Sequence, residues 1–331
     1  MEQTACQFLR ALRGRRSQVA FSRRLGYRSN IAARWEAGTR FPTATTTLLA
    51  CQRLGSDVAP AFHRFHEPSA HRLVELSDAS LADWLRSQRG DQPIADIAAR
   101  SGLSRYQVSR CLSGETAASL PMFFQLVDAM TGRLPELVSL FVDIREIADL
   151  WPRYHAHETA RLCAYQHPWS SAVLALIDVY SSSIHAASNI DSDRSIETVL
   201  PVTQMAARLG ASIEEVTLSI RALQESRIIG IHQGRVRIVA PLLTDTRSDP
   251  DRAAKLRQHW SAVSHHRLQQ PQPGDWFSHN VFAVSREDFA RLRDLQTEFY
   301  QRARALIAES RPSEVAALMT LHLMSFDDQP S

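Results

Sequence analysis

Twelve positions separate Gly26 from Gly38, and twelve separate Gly102 from Gly114. The same pattern of small, apolar and basic residues surrounds each pair. Phe21, Leu25, Tyr27, Ala32 and Trp35 form the apolar set around the first pair, with small Ser22 one turn before Gly26. At an offset of 76 residues the matching set is Ile97, Leu103, Val108 and Cys111, with small Ala98 and one polar position, Ser101. A helix-turn-helix needs these parts: a small residue where two helices touch, a glycine for the left-handed turn, and apolar anchors under the second helix. Two copies in one chain put nucleic acid first among the partners to consider.

A chain of 331 residues is long enough for two or three domains with their own cores. At 44% hydrophobic and 22% charged residues it lacks the composition of a disordered protein. No run of about 18 apolar residues is present, so no membrane span is expected. Arg10, Arg13, Arg15 and Arg16 surround the short apolar stretch near the N-terminus, which is not a signal-peptide pattern and suggests a cytoplasmic protein. Cys6, Cys51, Cys111 and Cys163 are scattered, mostly at apolar helical positions, as reduced core thiols would be.

The net charge of +3 is unevenly spread. Residues 1–64 carry eleven arginines against Glu2, Glu36 and Asp57, a balance of +8, whereas residues 65–140 come to −2. A basic first lobe on a near-neutral body is the footprint of a phosphate-binding head. Lys255 is the single lysine. Arginine forks phosphates and guanine edges, but such a bias also follows from genome composition.

The expected fold is mainly α: two helix-turn-helix bundles, a winged-helix-like unit and a small α+β C-terminal domain. In residues 1–64, helices are predicted over 4–13, Gln18–Leu25 and Ser29–Trp35, with a further one after Pro42-Thr43. Residues 65–79 read as a linker, residues 80–142 as the second bundle and 143–168 as a linking or docking segment. Within 169–240, a long apolar helix leads to Val202–Leu209 and Ser212–Glu225. The stretch Ile228–Val239 then has β-branched residues on both sides of Gln233-Gly234, a hairpin signal. Residues 241–331 combine helices with strand-like runs at 276–284 and 315–326.

Residues 1–64 resemble the Cro/phage-repressor type of helix-turn-helix, the xenobiotic-response-element family. The carriers are Gln18, Phe21, Ser22, Leu25, Gly26, Trp35-Glu36, Gly38, Arg40 and Pro42. The resemblance makes Glu36 structural and implies DNA contacts from Gln18, Arg28, Ser29, Asn30, Ala33, Arg34 and Arg40. Asn30 suits an adenine edge, and the arginines suit guanines or phosphates. Ser22 and Ala32 depart from the family's usual residues and are expected to lessen packing. Carried onto the second bundle, the same positions are Arg105, Tyr106, Ser109 and Arg110. That lobe is slightly acidic, so DNA contact and a packing or dimerisation role both remain open for it.

The winged-helix-like unit offers Arg221, Arg227, Arg235 and Arg237. Its recognition-helix position opens with Glu214 and Glu215, which face phosphate poorly and favour a structural or protein-binding role. Residues 169–326 resemble the C-terminal region of a poorly characterised family of predicted bacterial regulators. This second resemblance rests on Ala206–Gly210, Leu223–Ile229, Arg257-Gln258-His259-Trp260, Phe277–Ser285 and the run from Glu314-Val315. It implies a regulator with no assigned chemistry.

His155-Ala156-His157-Glu158 is the most tempting metal cluster, but imidazoles at i and i+2 do not share a helix face. There is no Gly-rich phosphate loop, nucleophile elbow or paired-carboxylate motif, so no catalytic residue, cofactor or metal is assigned. The expectation is a DNA-binding transcriptional regulator, dimeric, whose C-terminal half oligomerises or takes an effector signal. The competing expectation is an adaptor or antitoxin-like module whose bundles grip a protein partner.

Overall fold

The computed structural model describes residues 1–65, 75–187, 202–232, 235–238, 249–310 and 312–326. Among these, sixteen α-helices, one short 3₁₀ turn and one antiparallel strand pair make a mainly α fold. The chain divides into two compact units, residues 1–155 with 297–305 and residues 156–296 with 306–331.

The first unit begins with α1 (Glu2–Arg13), α2 (Gln18–Arg24), α3 (Ile31–Glu36), α4 (Ala44–Arg53) and α5 (Val58–Phe65). It continues with α6 (Asp78–Arg89), α7 (Ile94–Ser101), α8 (Arg105–Ser113), α9 (Leu120–Thr131) and α10 (Leu134–Ser139). Each helix of the second set follows its counterpart by close to 76 residues, so five helices repeat and not only the central pair. Ser17, Asn30 and Thr43 cap α2, α3 and α4 through their side chains, and Ser77 and Ser104 do the same for α6 and α8. Gly26, Gly38, Gly102 and Gly114 all adopt φ between 71° and 89°, where a side chain would strain the backbone.

The two sets share one hydrophobic core running from Ala5 to Leu150. Phe8 of α1 meets Phe124 of α9 edge-to-face at 5.5 Å. A two-residue main-chain contact also joins the copies: the Ala44 N–H donates to the Ala118 carbonyl at 2.8 Å, and the Leu120 N–H donates to the Pro42 carbonyl at 2.9 Å. Thr43 and Ser119 form the antiparallel bridge between these bonds. Under the offset of 76 the Thr43–Ser119 pair maps onto itself and the other two pairs exchange with each other, which defines a local two-fold axis inside one chain. Of the predicted linker 65–79, residues 66–74 lie outside the described residues. Residues 144–146 form the 3₁₀ turn, and Trp151 and Tyr154 of α11 (Trp151–Gln166) pack on this core.

In the second unit, α12 (Ser170–Ala187), α13 (Val202–Leu209) and α14 (Ile213–Glu225) bury Val173, Met205, Val216 and Leu223 with Ile229. The predicted hairpin forms as β1 (Ile229–His232) and β2 (Arg235–Ile238), with Ile229 opposite Ile238 and Ile231 opposite Val236. Its turn at Gln233-Gly234 lies outside the described residues. Two long helices follow, α15 (Pro250–Gln269) and α16 (Arg286–Glu309).

The expected α+β character of residues 241–331 needs correction. Residues 276–284 and the described residues 312–326 form neither helix nor strand. A strand is defined by its partner, and neither segment has a strand partner among the described residues.

Candidate nucleic-acid interface

Asn30 sets the start of α3. Its side-chain oxygen accepts the Ala33 N–H at 3.4 Å, so the helix begins at Ile31, two residues later than Ser29, the start read from the sequence. A short amide side chain satisfies a free helix N–H better than it continues the helix. Arg28, Ser29 and Asn30 are therefore exposed on the turn before α3, Ala33 and Arg34 lie on the helix, and exposed Arg40 follows Gly38.

Ser22 does more than fill space between α2 and α3. Its buried hydroxyl donates to the Gln18 carbonyl at 2.8 Å and accepts the Ala32 N–H at 3.1 Å. The departure expected to loosen packing instead adds a hydrogen bond between the two helices.

Glu36, buried at the end of α3, is the hub that orients it. Its carboxylate accepts from Arg13 Nε at 2.6 Å and from Gln18 Nε2 at 2.9 Å. Arg10 donates to the Glu36 carbonyl at 2.8 Å, closing the helix C-terminus with positive charge. The Gln18 amide nitrogen, assigned to DNA in the sequence, thus points at Glu36. The structural role that the resemblance gave Glu36 has a geometric cause.

The second copy repeats this anchor. Arg86 donates to the Leu112 carbonyl at 2.6 Å, and Leu112 is the counterpart of Glu36. These anchors escaped the motif reading, yet they are visible: Leu9-Arg10-x-x-Arg13-Gly14 recurs as Leu85-Arg86-x-x-Arg89-Gly90 at the same offset.

Charge separates the copies. Among the described residues, Arg15, Arg23, Arg24, Arg28, Arg34 and Arg40 are exposed, and the ion pairs of this unit fall on other arginines. On α8, Arg105, Tyr106 and Ser109 are exposed, whereas Arg110 is tied down. Arg110 donates to the Tyr106 hydroxyl at 3.1 Å, lies 5.4 Å from the centre of its ring and pairs with Glu115 at 3.5 Å. Its counterpart Arg34 has Thr39 where Glu115 would stand.

In the second unit, Glu215 works for the fold. Its carboxylate accepts the Ser212 N–H and hydroxyl, both at 2.8 Å, and the Trp169 indole N–H at 3.2 Å. These bonds, led by the Ser212 N–H, hold it below the usual carboxylate range. His259 packs against Trp169 and Trp260 with ring centres 5.1 and 4.9 Å away, and burial pushes its imidazole below the ordinary value. Glu214 is exposed at the start of α14.

His155, His157 and Glu158 all lie on α11, where Glu158 pairs with Arg161. Among the described residues no three metal-ligating side chains come together. The four cysteines are free thiols; Cys51 is pushed up to about 12 by burial, and half-buried Cys6 touches the Trp35 carbonyl at 3.5 Å. None of the described helices is long and apolar enough to cross a membrane.

Residues 199–321 match a domain of unknown function, DUF4423. The DUF4423 region takes in α13, α14, the hairpin, α15, α16 and the described residues 312–321, and it lies outside the internal two-fold repeat. No curated protein and no solved structure matches the chain.

Proposed function

We propose that the chain is a sequence-specific, double-stranded DNA-binding transcriptional regulator. The supporting observation is the contrast around α3: a rigidly anchored short helix carries Arg34 and is flanked by Arg28, Ser29, Asn30 and Arg40, all exposed, with the arginines unneutralised. Unpaired arginine can exchange solvent for phosphate oxygen without first breaking an internal ion pair. Asn30 keeps its amide nitrogen out of its own capping bond, free for a base edge.

The internal two-fold extends this reading. A two-fold protein reads a site with the same symmetry, so one chain would read an imperfect inverted repeat. The half under α3 would be read strongly. The half under α8 would be read weakly, because Glu115 already neutralises Arg110. That tied arginine and exposed Tyr106 also suit a protein partner, the one observation in favour of an adaptor role for the second copy. The DUF4423 region would oligomerise the regulator or take its input.

Sequencing the DNA that full-length protein selects from a random pool tests this directly. The expected outcome is an inverted repeat with one better-defined half, and affinity that falls steeply with salt. Affinity for duplex DNA that barely changes between low and moderate salt would remove the reading's support.

A further inference from the structure

The turn that leads into Arg28, Ser29 and Asn30 forms one side of a hollow of about 190 Å³ in the first helix set. Leu25, Tyr27, Trp35, Leu49 and Ala50 give it apolar walls, and Thr46 and Arg53 of α4 are its polar lining. The Tyr27 ring meets the Trp35 ring edge-to-face at 5.6 Å, so two of those walls are aromatic. An apolar cavity of about 150 Å³ already holds benzene, so one aromatic ring fits here.

Arg53 adds a cation at this hollow. Its side chain is exposed, and its Nη1 donates to the Leu25 carbonyl at the end of α2. Among the described residues that is its one hydrogen bond, and no carboxylate pairs with it. Nε and Nη2 are left over, the two donors that a carboxylate takes together. The Thr46 hydroxyl, 2.9 Å from that of Thr43, offers a further polar contact.

The second helix set fills the same place. Cys111 and Met122 stand where Trp35 and Thr46 would be, and their sulfurs meet at 3.2 Å. Leu126 and Ala129 replace Ala50 and Arg53. The Ser101 carbonyl, counterpart of the Leu25 carbonyl, accepts from the neutral Gln125 amide at 3.3 Å. Aromatic walls and a cation are therefore no requirement of this fold.

We infer that the hollow in the first set binds a small aromatic carboxylate, its single ring against Tyr27 and Trp35 and its carboxylate on Arg53. A neutral ring would leave the guanidinium donors unused, and an inorganic anion would leave the apolar walls wet. Tyr27 directly precedes Arg28, so the occupant touches the segment on which the DNA reading rests. The inference goes beyond that reading, and its test involves no DNA.

Isothermal titration of the full-length protein with benzoate, benzamide and inorganic phosphate provides the test. Benzoate should bind at one site per chain with a Kd below about 1 mM. Benzamide should bind about tenfold more weakly or worse, and phosphate should not compete. Arg53→Gln keeps a neutral donor, as Gln125 does for Ser101, and should weaken benzoate binding by about tenfold or more. Thr46→Met puts the second set's residue into the hollow and should abolish binding, with helix content by circular dichroism unchanged. The three ligands on wild-type protein decide the question even where a variant melts early. No saturable benzoate binding, benzamide binding as tight as benzoate, displacement by phosphate, or undiminished affinity in folded Thr46→Met would overturn the inference.

Discussion

Ser22 shows how one hydroxyl can matter between two short helices. Replacing it with alanine removes the acceptor for the buried Ala32 N–H and the link to α3. Ser22→Ala should cost about 1 kcal/mol, read as a lower midpoint in thermal or urea unfolding, with no change in helix content at low temperature. Its counterpart Ala98 lacks the hydroxyl, so the second copy is without this link at the same place. His259 is a second residue-scale lever. Burial among Trp169 and Trp260 lowers its folded-state value, so the neutral form favours the fold. That contribution is fully present above the ordinary imidazole value of about 6.5 and is lost as pH falls through the depressed folded value. The melting temperature should therefore begin to drop below about pH 6.5, and His259→Phe should flatten the profile in that window. Depressed Glu215 extends the loss to still lower pH by the same sign. A wild-type profile identical to that of His259→Phe would refute this account.

At the scale of elements, α3 and α8 are copies with different surfaces. The residue types at 28–40 were legible from one face of a predicted helix, but the start of α3 was not. Asn30 can either read a base or cap a helix, and only the distance to Ala33 shows that it caps. Gln18 is similar: its partner Glu36 is 18 residues away, and nothing local reveals that the amide nitrogen donates to that carboxylate. DNA binding separates the roles. Asn30→Ala should relax sequence preference, while Arg40→Ala should weaken binding to all sequences alike. Glu115→Thr gives α8 the residue that α3 has at Thr39 and frees Arg110. It should strengthen DNA binding and steepen the salt dependence by about one unit of log–log slope. An unchanged slope would show that α8 stays away from phosphate.

For the whole molecule, the shared core changes what a domain means here. Residues 1–64 read as an independent bundle, yet Phe8 reaches Phe124 and the Pro42–Ala44 backbone binds Ala118–Leu120. Cutting between the copies would expose both halves of that interface. A fragment ending at residue 64 should therefore lack the sharp thermal transition that full-length protein shows, as followed by circular dichroism. A fragment melting as cooperatively as the full chain would contradict the single core.

Local chemistry determined a good deal of this protein. Glycines that must turn left, short polar caps, and apolar anchors at helical spacing are enough to specify two helix-turn-helix pairs, and charge is enough to tell the two copies apart. The hairpin at Ile229–Ile238 was equally readable, because both of its strands and its turn are adjacent in the chain. The tertiary structure decided what depends on a distant partner: the two-fold contact through Thr43 and Ser119, the Arg10 and Arg86 anchors, and the fate of residues 276–284 and 315–326. Alternating side chains suit a strand, but pairing needs a second backbone within hydrogen-bonding distance, and a linear sequence carries no record of that distance.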